Sequence, residues 1–246
     1  AALPSGPDRD ETWTYATTDP PRGWTTQEGP TPLPADALER VVASDWHWRY
    51  FENALAAVHV DVDEIASHAP GPDDVCQLLF TSGTTGEPKG VQHPHRTLGL
   101  ATAMHVAQSG LTSADRIYIP SPLAHQTGFL YGMLLAFRLG APQVIQPVWD
   151  GGVALEQAFG VARASFVQCA TPFLTDLVDL VEAGAPQPES LRIFVPTGAA
   201  VPRALAQRAS TVLGSAILGA FGTSETCLGA LSSPSDDPAD AYGHDG

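Results

Sequence analysis

The sequence has 246 residues, of which 43% are hydrophobic, and it carries a formal net charge of -15 with a sequence pI near 4.6. A chain of this length and composition can bury one large or two modest domains. Its negative charge argues against nucleic acid and anionic membrane surfaces as partners, because both would repel it, so an anionic ligand needs local positive groups.

The cysteines and the hydropathy pattern exclude several other classes. Cys76, Cys169 and Cys227 are far apart, and none has the Cys-x-x-Cys or Cys/His spacing of a zinc site. Structural disulfides and zinc are therefore not expected. No apolar run approaches the ~20 residues that span a bilayer, and no basic, apolar leader opens the chain. We therefore expect a cytoplasmic protein without a membrane span, and the sequence gives no indication of its oligomeric state.

The first part of the chain separates into an irregular segment and a helix. Seven prolines within residues 1–35 exclude a regular helix and predict an extended, proline-rich lead-in. From Asp36 to Val58 apolar residues recur at roughly helical spacing, which predicts one helix. A Pro-Gly-Pro turn follows. We therefore predict a helix and linker over residues 36–72 and the main domain over residues 73–246.

An apolar run, Val75 to Phe80, predicts a buried strand, and it leads into Thr-Ser-Gly-Thr-Thr-Gly-Glu-Pro-Lys-Gly at residues 81–90. The glycines allow the backbone N–H groups to face an anion, the hydroxyls add donors, and Lys89 adds a charge. The loop is not a Walker A loop, because Gly-x-x-x-x-Gly-Lys-Ser/Thr is absent. The alternative is an ordinary surface turn. The candidate phosphate-binding residues are Thr81, Ser82, Gly83, Thr84, Thr85, Gly86 and Lys89.

A second candidate lies after the next strand. His93 and His95 have no carboxylate or cysteine near them in sequence, so we do not expect them to bind a metal. A helix is predicted over residues 96–108, and a short strand over residues 117–119 then runs into Pro-Ser-Pro-Leu-Ala-His-Gln-Thr-Gly-Phe-Leu-Tyr-Gly. His125 in this run would lie at the mouth of a sheet, where ligands of α/β proteins usually bind. A helix-capping or core role is the alternative.

The rest of the chain alternates between apolar runs and helical stretches. Strands are predicted at Val144–Ile145, Ala164–Cys169 and Leu191–Val195, and helices at Pro172–Glu182 and Pro202–Leu213. This alternation predicts βα units, and therefore an α/β fold with a largely parallel sheet covered by helices.

Two turns near the end of the chain have small or hydroxyl side chains. In Pro-Thr-Gly-Ala-Ala-Val-Pro, the small residues 198–200 would let a flat ring lie against the backbone, and an ordinary tight βα loop is the alternative. A last strand, Ala216–Phe221, runs into Gly-Thr-Ser-Glu-Thr. Thr223 to Glu225 could alternatively cap the start of a helix.

Taken in order, these four segments resemble the motifs of the acyl-adenylate-forming superfamily, which includes acyl-CoA synthetases, luciferases and peptide-synthetase adenylation domains. The loop at residues 81–90 is similar to the phosphate-binding signature, and the run containing His125 is similar to the Pro-Leu-Phe-His motif. The turn at residues 198–200 resembles the Gly-Gly/Ala-Ala-x-x-Pro motif that borders adenine. The last segment resembles Tyr-Gly-x-Thr-Glu, with Phe221 in the tyrosine position and Ser224 in the threonine position.

The resemblance implies a reaction and a set of ligands. A substrate carboxylate would attack the α-phosphorus of ATP to give an acyl-adenylate and pyrophosphate, and the acyl group would then pass to coenzyme A. The implied partners are ATP, Mg²⁺, coenzyme A and a small carboxylic acid. The chain is thus identified as part of a carboxylate-CoA ligase of the acyl-CoA synthetase branch.

The resemblance also implies roles for individual residues. It implies catalytic roles for Lys89, His125, Ser224 and Glu225. It also implies that Glu225 and Thr81 bind Mg²⁺. The residues that it implies for nucleotide binding are Thr81–Gly86, Lys89, Gly198, Ala199, Ala200, Ala220, Phe221, Gly222, Thr223 and Ser224. Phe221 would stack on adenine, and the Ser224 hydroxyl would bind the α-phosphate. The acyl group would lie near His125 and Phe129, although core packing explains Phe129 and Tyr131 equally well.

The resemblance covers residues 70 to 230. The printed sequence holds neither the downstream Tyr-x-Thr-Gly-Asp motif, whose aspartate binds the ribose hydroxyls, nor the hinge and C-terminal domain with the adenylation lysine. We therefore expect an incomplete large domain of the acyl-adenylate-forming fold. The alternative is a truncated, catalytically inactive fragment that binds a nucleotide or a partner.

Overall fold

A computed structural model describes residues 66–81 and 89–237. The chain divides into two compact units, Ala1–Ala69 and Pro70–Gly246, and every element named below belongs to the second. The predicted lead-in and the helix predicted from Asp36 lie outside the described residues.

The second unit begins with a hairpin. Strands β1 (Val75–Thr81) and β2 (Lys89–Pro94) form a two-stranded antiparallel sheet, and their register pairs Thr81 with Lys89. The strand predicted at Val75 to Phe80 is present, but its predicted burial is wrong. The hairpin stands outside the parallel sheet, so β1 is not enclosed between two helical layers as a parallel strand would be. The exposed side chains are those of Val75 (55%), Leu78 (54%) and Phe80 (65%).

The other elements follow in chain order. The helices are α1 (His95–Ser109), α2 (Gln126–Gly128), α3 (Leu135–Leu139), α4 (Gly151–Val153), α5 (Thr171–Glu182) and α6 (Arg203–Leu213). A π-helical segment (Phe129–Leu134) joins α2 to α3, and a second π-helical segment (Ala154–Val161) continues α4. The strands are β3 (Ile117–Ile119), β4 (Gln143–Ile145), β5 (Phe166–Ala170), β6 (Ile193–Thr197), β7 (Ala216–Ile217), β8 (Ala220–Thr223) and β9 (Cys227–Leu231). Within the described ranges, no helix combines the length and the apolar character needed to cross a bilayer.

One predicted strand is divided in two. The apolar run from Ala216 to Phe221 was predicted to form a single strand, but it forms β7 and β8, which belong to different sheets. β7 is the edge strand beside β6, whereas β8 pairs antiparallel with β9. The chain therefore leaves the parallel sheet before Phe221, and this places Phe221 on a separate hairpin.

The central sheet is parallel and has five strands in the order β4-β3-β5-β6-β7. The chain passes from β3 outward to β4 and then crosses to the other side of β3 to form β5. The direction of strand addition therefore reverses between β3 and β5. At such a reversal the segments that leave the carboxyl ends of neighbouring strands diverge, and a crevice opens between them.

Helices cover both faces of this sheet, which confirms the predicted α/β class. Tyr118, Val167 and Phe194 project to one face and pack with α5, α6 and the second π-helical segment. Phe166 and Ile193 project to the other face and pack with α3 and Leu111. Because successive residues of a strand alternate between faces, both faces must be apolar. This explains why the parallel strands are unbroken apolar runs in the sequence.

Candidate active site

A cavity of about 590 Å³ is lined by the segments that follow β3 and β6, by Gln168 of β5 and by the β8–β9 hairpin. It lies at the carboxyl end of the sheet, beside the reversal of strand order, where the fold predicts a ligand crevice. The cavity brings together nine of the residues predicted from the sequence, which come from three separate motifs. They are His125, Gly198, Ala199, Ala200, Ala220, Phe221, Gly222, Thr223 and Ser224.

Other predicted residues do not line this cavity. Thr81 and Lys89 face each other in register at the end of the β1–β2 hairpin. Glu225 is exposed and directly follows the lining residue Ser224. Phe129 packs beside Leu98 and lines a separate cavity of about 440 Å³, so the structure does not bring it to the first one. Ser82, Gly83, Thr84, Thr85 and Gly86 lie outside the described residues.

His125 is held at the start of α2. Its Nδ1 atom accepts hydrogen bonds from the backbone N–H of Thr127 at 3.1 Å and from the Thr127 hydroxyl at 2.9 Å. Because Nδ1 is the acceptor, a neutral imidazole carries its proton on Nε2. The side chain therefore caps the helix, as the alternative reading expected, and it lines the cavity as well.

The loop before His125 lies directly against α2. A Cβ atom on Gly128 would lie 2.4 Å from the carbonyl oxygen of Pro122 and 2.5 Å from that of Ser121. Only glycine permits this approach. The glycine in His-Gln-Thr-Gly thus fixes the position of the loop, and with it the position of His125.

The Gly-Thr-Ser-Glu-Thr segment is the turn of the β8–β9 hairpin. The hydroxyl oxygen of Thr223 accepts the backbone N–H of Thr226 at 3.1 Å, and no helix begins here within the described residues. The helix-cap alternative for Thr223 to Glu225 is therefore wrong. A Cβ atom on Gly222 would lie 2.3 Å from the carbonyl oxygen of Cys227, so this glycine lets the two strands close. Phe221 is 57% exposed and lines the cavity.

Two contacts that the sequence did not predict join the β1–β2 hairpin to the cavity wall. The side-chain amides of Gln77 and Gln126 bind each other reciprocally, at 2.9 and 3.2 Å. His93 is buried, and its Nε2 atom donates to the backbone carbonyl of Ser224 at 2.7 Å. The paired residues are 49 and 131 positions apart. No local pattern indicates such contacts.

Gln168 is a further cavity residue, and no motif in the sequence includes it. It is the third residue of β5, is only 3% exposed, and lines the cavity. Its neighbours Val167 and Cys169 are fully buried in the core. The signal was present in the sequence, since a single polar residue in the middle of a buried strand requires a partner or a ligand.

The described residues fit a nucleotide that carries its metal ion with it. Residues 66–81 and 89–237 contain no group of three or more His, Cys, Asp or Glu side chains that could hold a metal ion alone. Mg²⁺ commonly binds one or two carboxylates together with substrate phosphates, and Glu225 offers one exposed carboxylate beside the cavity. Gly198 has a φ of 86° and open space at its Cβ position, which leaves the backbone accessible to a flat ring.

Comparisons with known proteins agree with this geometry. The family model described as AMP-binding enzyme matches residues 11–245. The medium-chain fatty-acid-CoA ligase of Escherichia coli strain K12 is 32% identical over 174 residues, which are 70% of this chain and 30% of that protein. The 3-[(3aS,4S,7aS)-7a-methyl-1,5-dioxo-octahydro-1H-inden-4-yl]propanoyl:CoA ligase of Rhodococcus jostii strain RHA1 is 32% identical over 193 residues, which are 76% of this chain and 37% of that protein. The chain thus spans about a third of the length of these relatives.

A solved structure shows the same fold. O-succinylbenzoate coenzyme A synthetase from Bacillus subtilis, in complex with AMP, superposes with a TM-score of 0.61 at 24% sequence identity. The match covers 75% of this chain and 38% of that one. The chain therefore belongs to the AMP-binding enzyme family.

Proposed function

We propose that this chain is the nucleotide-binding part of a carboxylate-CoA ligase, which uses ATP and Mg²⁺ to activate a small carboxylic acid. The observation that carries the proposal is the convergence of His125, residues 198–200 and residues 220–224 on one cavity at the strand reversal. These segments are distant in sequence, and each has the side chains that one part of an acyl-adenylate requires. The names of the relatives, which are CoA ligases, support coenzyme A as the acyl acceptor.

In the first step, a carboxylate oxygen of the substrate attacks the α-phosphorus of ATP. A bond forms between these atoms, and the bond from the α-phosphorus to the bridging oxygen of pyrophosphate breaks. A carboxylic acid is ionised at pH 7, so the reaction needs no general base. The protein has to align the two anions and offset the charge on the phosphates.

The described residues can divide these tasks. The aromatic face of Phe221 and the open backbone at residues 198–200 would enclose adenine, and the hydroxyl of Ser224 would donate to the α-phosphate. Lys89, at the base of the loop, would reach the outer phosphates as a mobile charge. Glu225 would hold Mg²⁺, which neutralises phosphate charge when it is bound.

In the second step, the thiol sulfur of coenzyme A attacks the acyl carbonyl carbon. The thioester bond forms, the bond from the carbonyl carbon to the AMP oxygen breaks, and the thiol proton is lost to solvent. His125 lines the cavity at the edge where the carboxyl group of the acid would meet the nucleotide. Because Nδ1 accepts from Thr127, the Nε2–H group of the ring is the hydrogen-bond donor that remains for a ligand there.

The test is carboxylate-dependent release of pyrophosphate. The protein should be assayed in the form in which it occurs in its cell, which intact mass spectrometry establishes first. We expect release that requires both an acid and Mg²⁺, followed by acyl-CoA formation when coenzyme A is added. Binding of ATP without release, for every acid tried, would overturn the ligase proposal and support a nucleotide-binding fragment instead.

A further inference from the structure

Gln168 presents a polar group to the cavity from within the core. It lies on β5, which is flanked by the two apolar cores of the sheet, and the residue is only 3% exposed. A buried amide without hydrogen bonds is costly, so its partners have to be accounted for.

The carbonyl end of the Gln168 amide is occupied by His105. Nε2 of His105 donates to Oε1 of Gln168 at 2.8 Å, and Nδ1 of His105 accepts the hydroxyl of Ser109 at 3.0 Å. The imidazole also packs against Tyr131 and Phe166, with ring centroids 5.3 and 5.5 Å apart. Burial lowers the pKa of His105, so its ring is neutral at pH 7 and has one donor and one acceptor nitrogen, as this pairing requires.

The other end of the amide is left for a ligand. Because Oε1 accepts from His105, the N–H groups of Gln168 remain available as donors, and none of the hydrogen bonds found among residues 66–81 and 89–237 is donated by them. Tyr131 supplies a second donor in the same cavity. Its oxygen accepts the backbone N–H of Leu228 at 2.6 Å, and burial raises the pKa of the phenol well above its usual value, so the phenolic O–H is retained.

Two other polar side chains that line the cavity are already paired within the protein. Gln126 binds Gln77, and the hydroxyl of Thr197 donates to the backbone carbonyl of Cys169 at 3.2 Å. None of the described residues that line the cavity is a lysine or an arginine. A second carboxylate on the acid would therefore lack a countercharge here, whereas a neutral acceptor oxygen would satisfy both donors.

We propose that Gln168, oriented by His105, and Tyr131 bind a neutral carbonyl oxygen on the acyl group of the substrate. The enzyme then selects carboxylic acids with a keto group over plain acids of the same length. This inference rests on the proposed ligase function. His105 acts as a positioning residue, because it reaches the substrate only through Gln168.

The test compares octanoate with a series of oxo-octanoates whose keto group lies at successive carbons. In the wild-type protein, we expect one member of the series to exceed octanoate about tenfold in kcat/KM, the effect of one buried hydrogen bond. Q168L should bring the two acids within about twofold of each other and leave the KM for ATP unchanged. The matched control is Q187L, since Gln187 is exposed, outside the cavity, and donates to Val212. It should keep the preference.

His105 is tested by a pair of variants. H105L should remove the preference for the keto acid as Q168L does, whereas H105Q, which keeps an N–H donor, should retain most of it. A merely structural role would lower the activity with both acids equally.

Three results would overturn this inference. One is equal activity of the wild-type protein with octanoate and every oxo-octanoate. A second is a raised KM for ATP in Q168L with every acid, which would place the amide on the nucleotide. If no acid releases pyrophosphate, the proposed function fails. In that case the affinity of the oxo-octanoates is measured by calorimetry on the wild-type protein and on Q168L. Equal affinity of the two proteins would overturn the inference.

Discussion

The Nε2 atom of His93 donates a hydrogen bond of 2.7 Å to the backbone carbonyl oxygen of Ser224. His93 lies on β2, the strand that begins at Lys89. Ser224 lies in the turn between β8 and β9. This bond therefore joins the hairpin that carries Lys89 to the turn that carries Glu225. The imidazole is buried, with 2% exposure, so loss of this bond would leave its N–H without a partner inside the protein.

The first prediction concerns this bond. H93L should raise the KM for ATP about tenfold, because the turn with Ser224 loses its anchor and its carbonyl loses a partner. H93Q keeps an N–H donor and should stay within about threefold of the wild type by the same reasoning. The measurement is an ATP titration of pyrophosphate release. Equal behaviour of H93L and H93Q would show that the side chain fills space only.

Most of the parallel sheet could be predicted from the sequence, for a physical reason. Strands such as Phe166–Ala170 and Ile193–Thr197 lie between two apolar layers, so their sequences are apolar throughout and are bounded by turn residues. The same rule misled for Val75 to Phe80, which is as apolar but belongs to an antiparallel hairpin. The hydrophobic periodicity and the composition of a strand do not distinguish a central parallel strand from a strand of an antiparallel hairpin, because the burial of a strand depends on the elements that pack against it.

The candidate site likewise contains features that the sequence could predict and features that it could not. The position of motif residues such as Phe221 and Ser224 on a ligand cavity could be expected, because short runs of glycine and hydroxyl residues suit contact with a ligand. The contacts of His93 and His105 were not predictable, because their partners are 131 and 63 positions away in sequence. Their roles follow only from the pairing of elements in space.

A second prediction tests the phosphate-binding residues directly. K89A and E225A should each weaken the binding of Mg·ATP about tenfold or more, because each removes a charge that opposes the phosphates or holds their metal ion. E189A is the matched control, since Glu189 is an exposed carboxylate that does not line the cavity. The measurement is calorimetric titration with Mg·ATP. If K89A and E225A both bind like the wild type, the site assignment is wrong.

The composition of the chain allows a third prediction. Lys89 is the single lysine in the printed sequence. If it contacts the phosphates, Mg·ATP should protect it from an amine-selective reagent, and the loss of modification should follow nucleotide occupancy. Peptide mass mapping of residue 89 checks this. Modification at the same rate with and without saturating Mg·ATP would remove Lys89 from the site.

A fourth prediction concerns the pH dependence of stability. Asp115 is 3% exposed, and its carboxylate accepts hydrogen bonds from Ser165 at 2.7 Å and from Arg192 at 2.7 Å. Burial raises the pKa of this carboxyl, but the hydrogen bonds from Ser165, Arg192 and the Thr112 N–H outweigh burial and hold it below the ordinary value of 3.8. Since the folded pKa lies below the unfolded one, the stabilisation is complete above pH 3.8 and is lost as the pH falls through the folded pKa.

D115N should therefore lower the free energy of unfolding at pH 7 by about 2–3 kcal/mol, which is the usual contribution of hydrogen bonds to a charged group. The chain has 27 aspartates and glutamates, so the informative quantity is the difference between wild type and variant in the free energy of urea unfolding. That difference should shrink as the pH is lowered through the range below pH 4. A difference that does not change with pH would mean that Asp115 acts through packing alone.

A fifth prediction uses two glycines in helical conformation that differ in their surroundings. Nothing lies within 4 Å of a Cβ atom added to Gly99 in α1, whereas one added to Gly128 would lie 2.4 Å from the carbonyl oxygen of Pro122. Both changes to alanine bring the same gain in helix propensity, about 0.5–1 kcal/mol. G99A should therefore stabilise the protein by about that amount, while the steric overlap in G128A should cost about 1–3 kcal/mol.

The activity of the two variants separates stability from position. G128A has to displace the loop at Ser121 and Pro122, which ends at His125, so its kcat/KM for the acid should fall even at temperatures where it is fully folded. G99A should leave kcat/KM unchanged. Urea unfolding and pyrophosphate release, measured on the same preparations, check both effects. Full activity in a destabilised G128A would contradict this prediction, because it would show that the loop can move without disturbing the part of His125 that acts in the reaction.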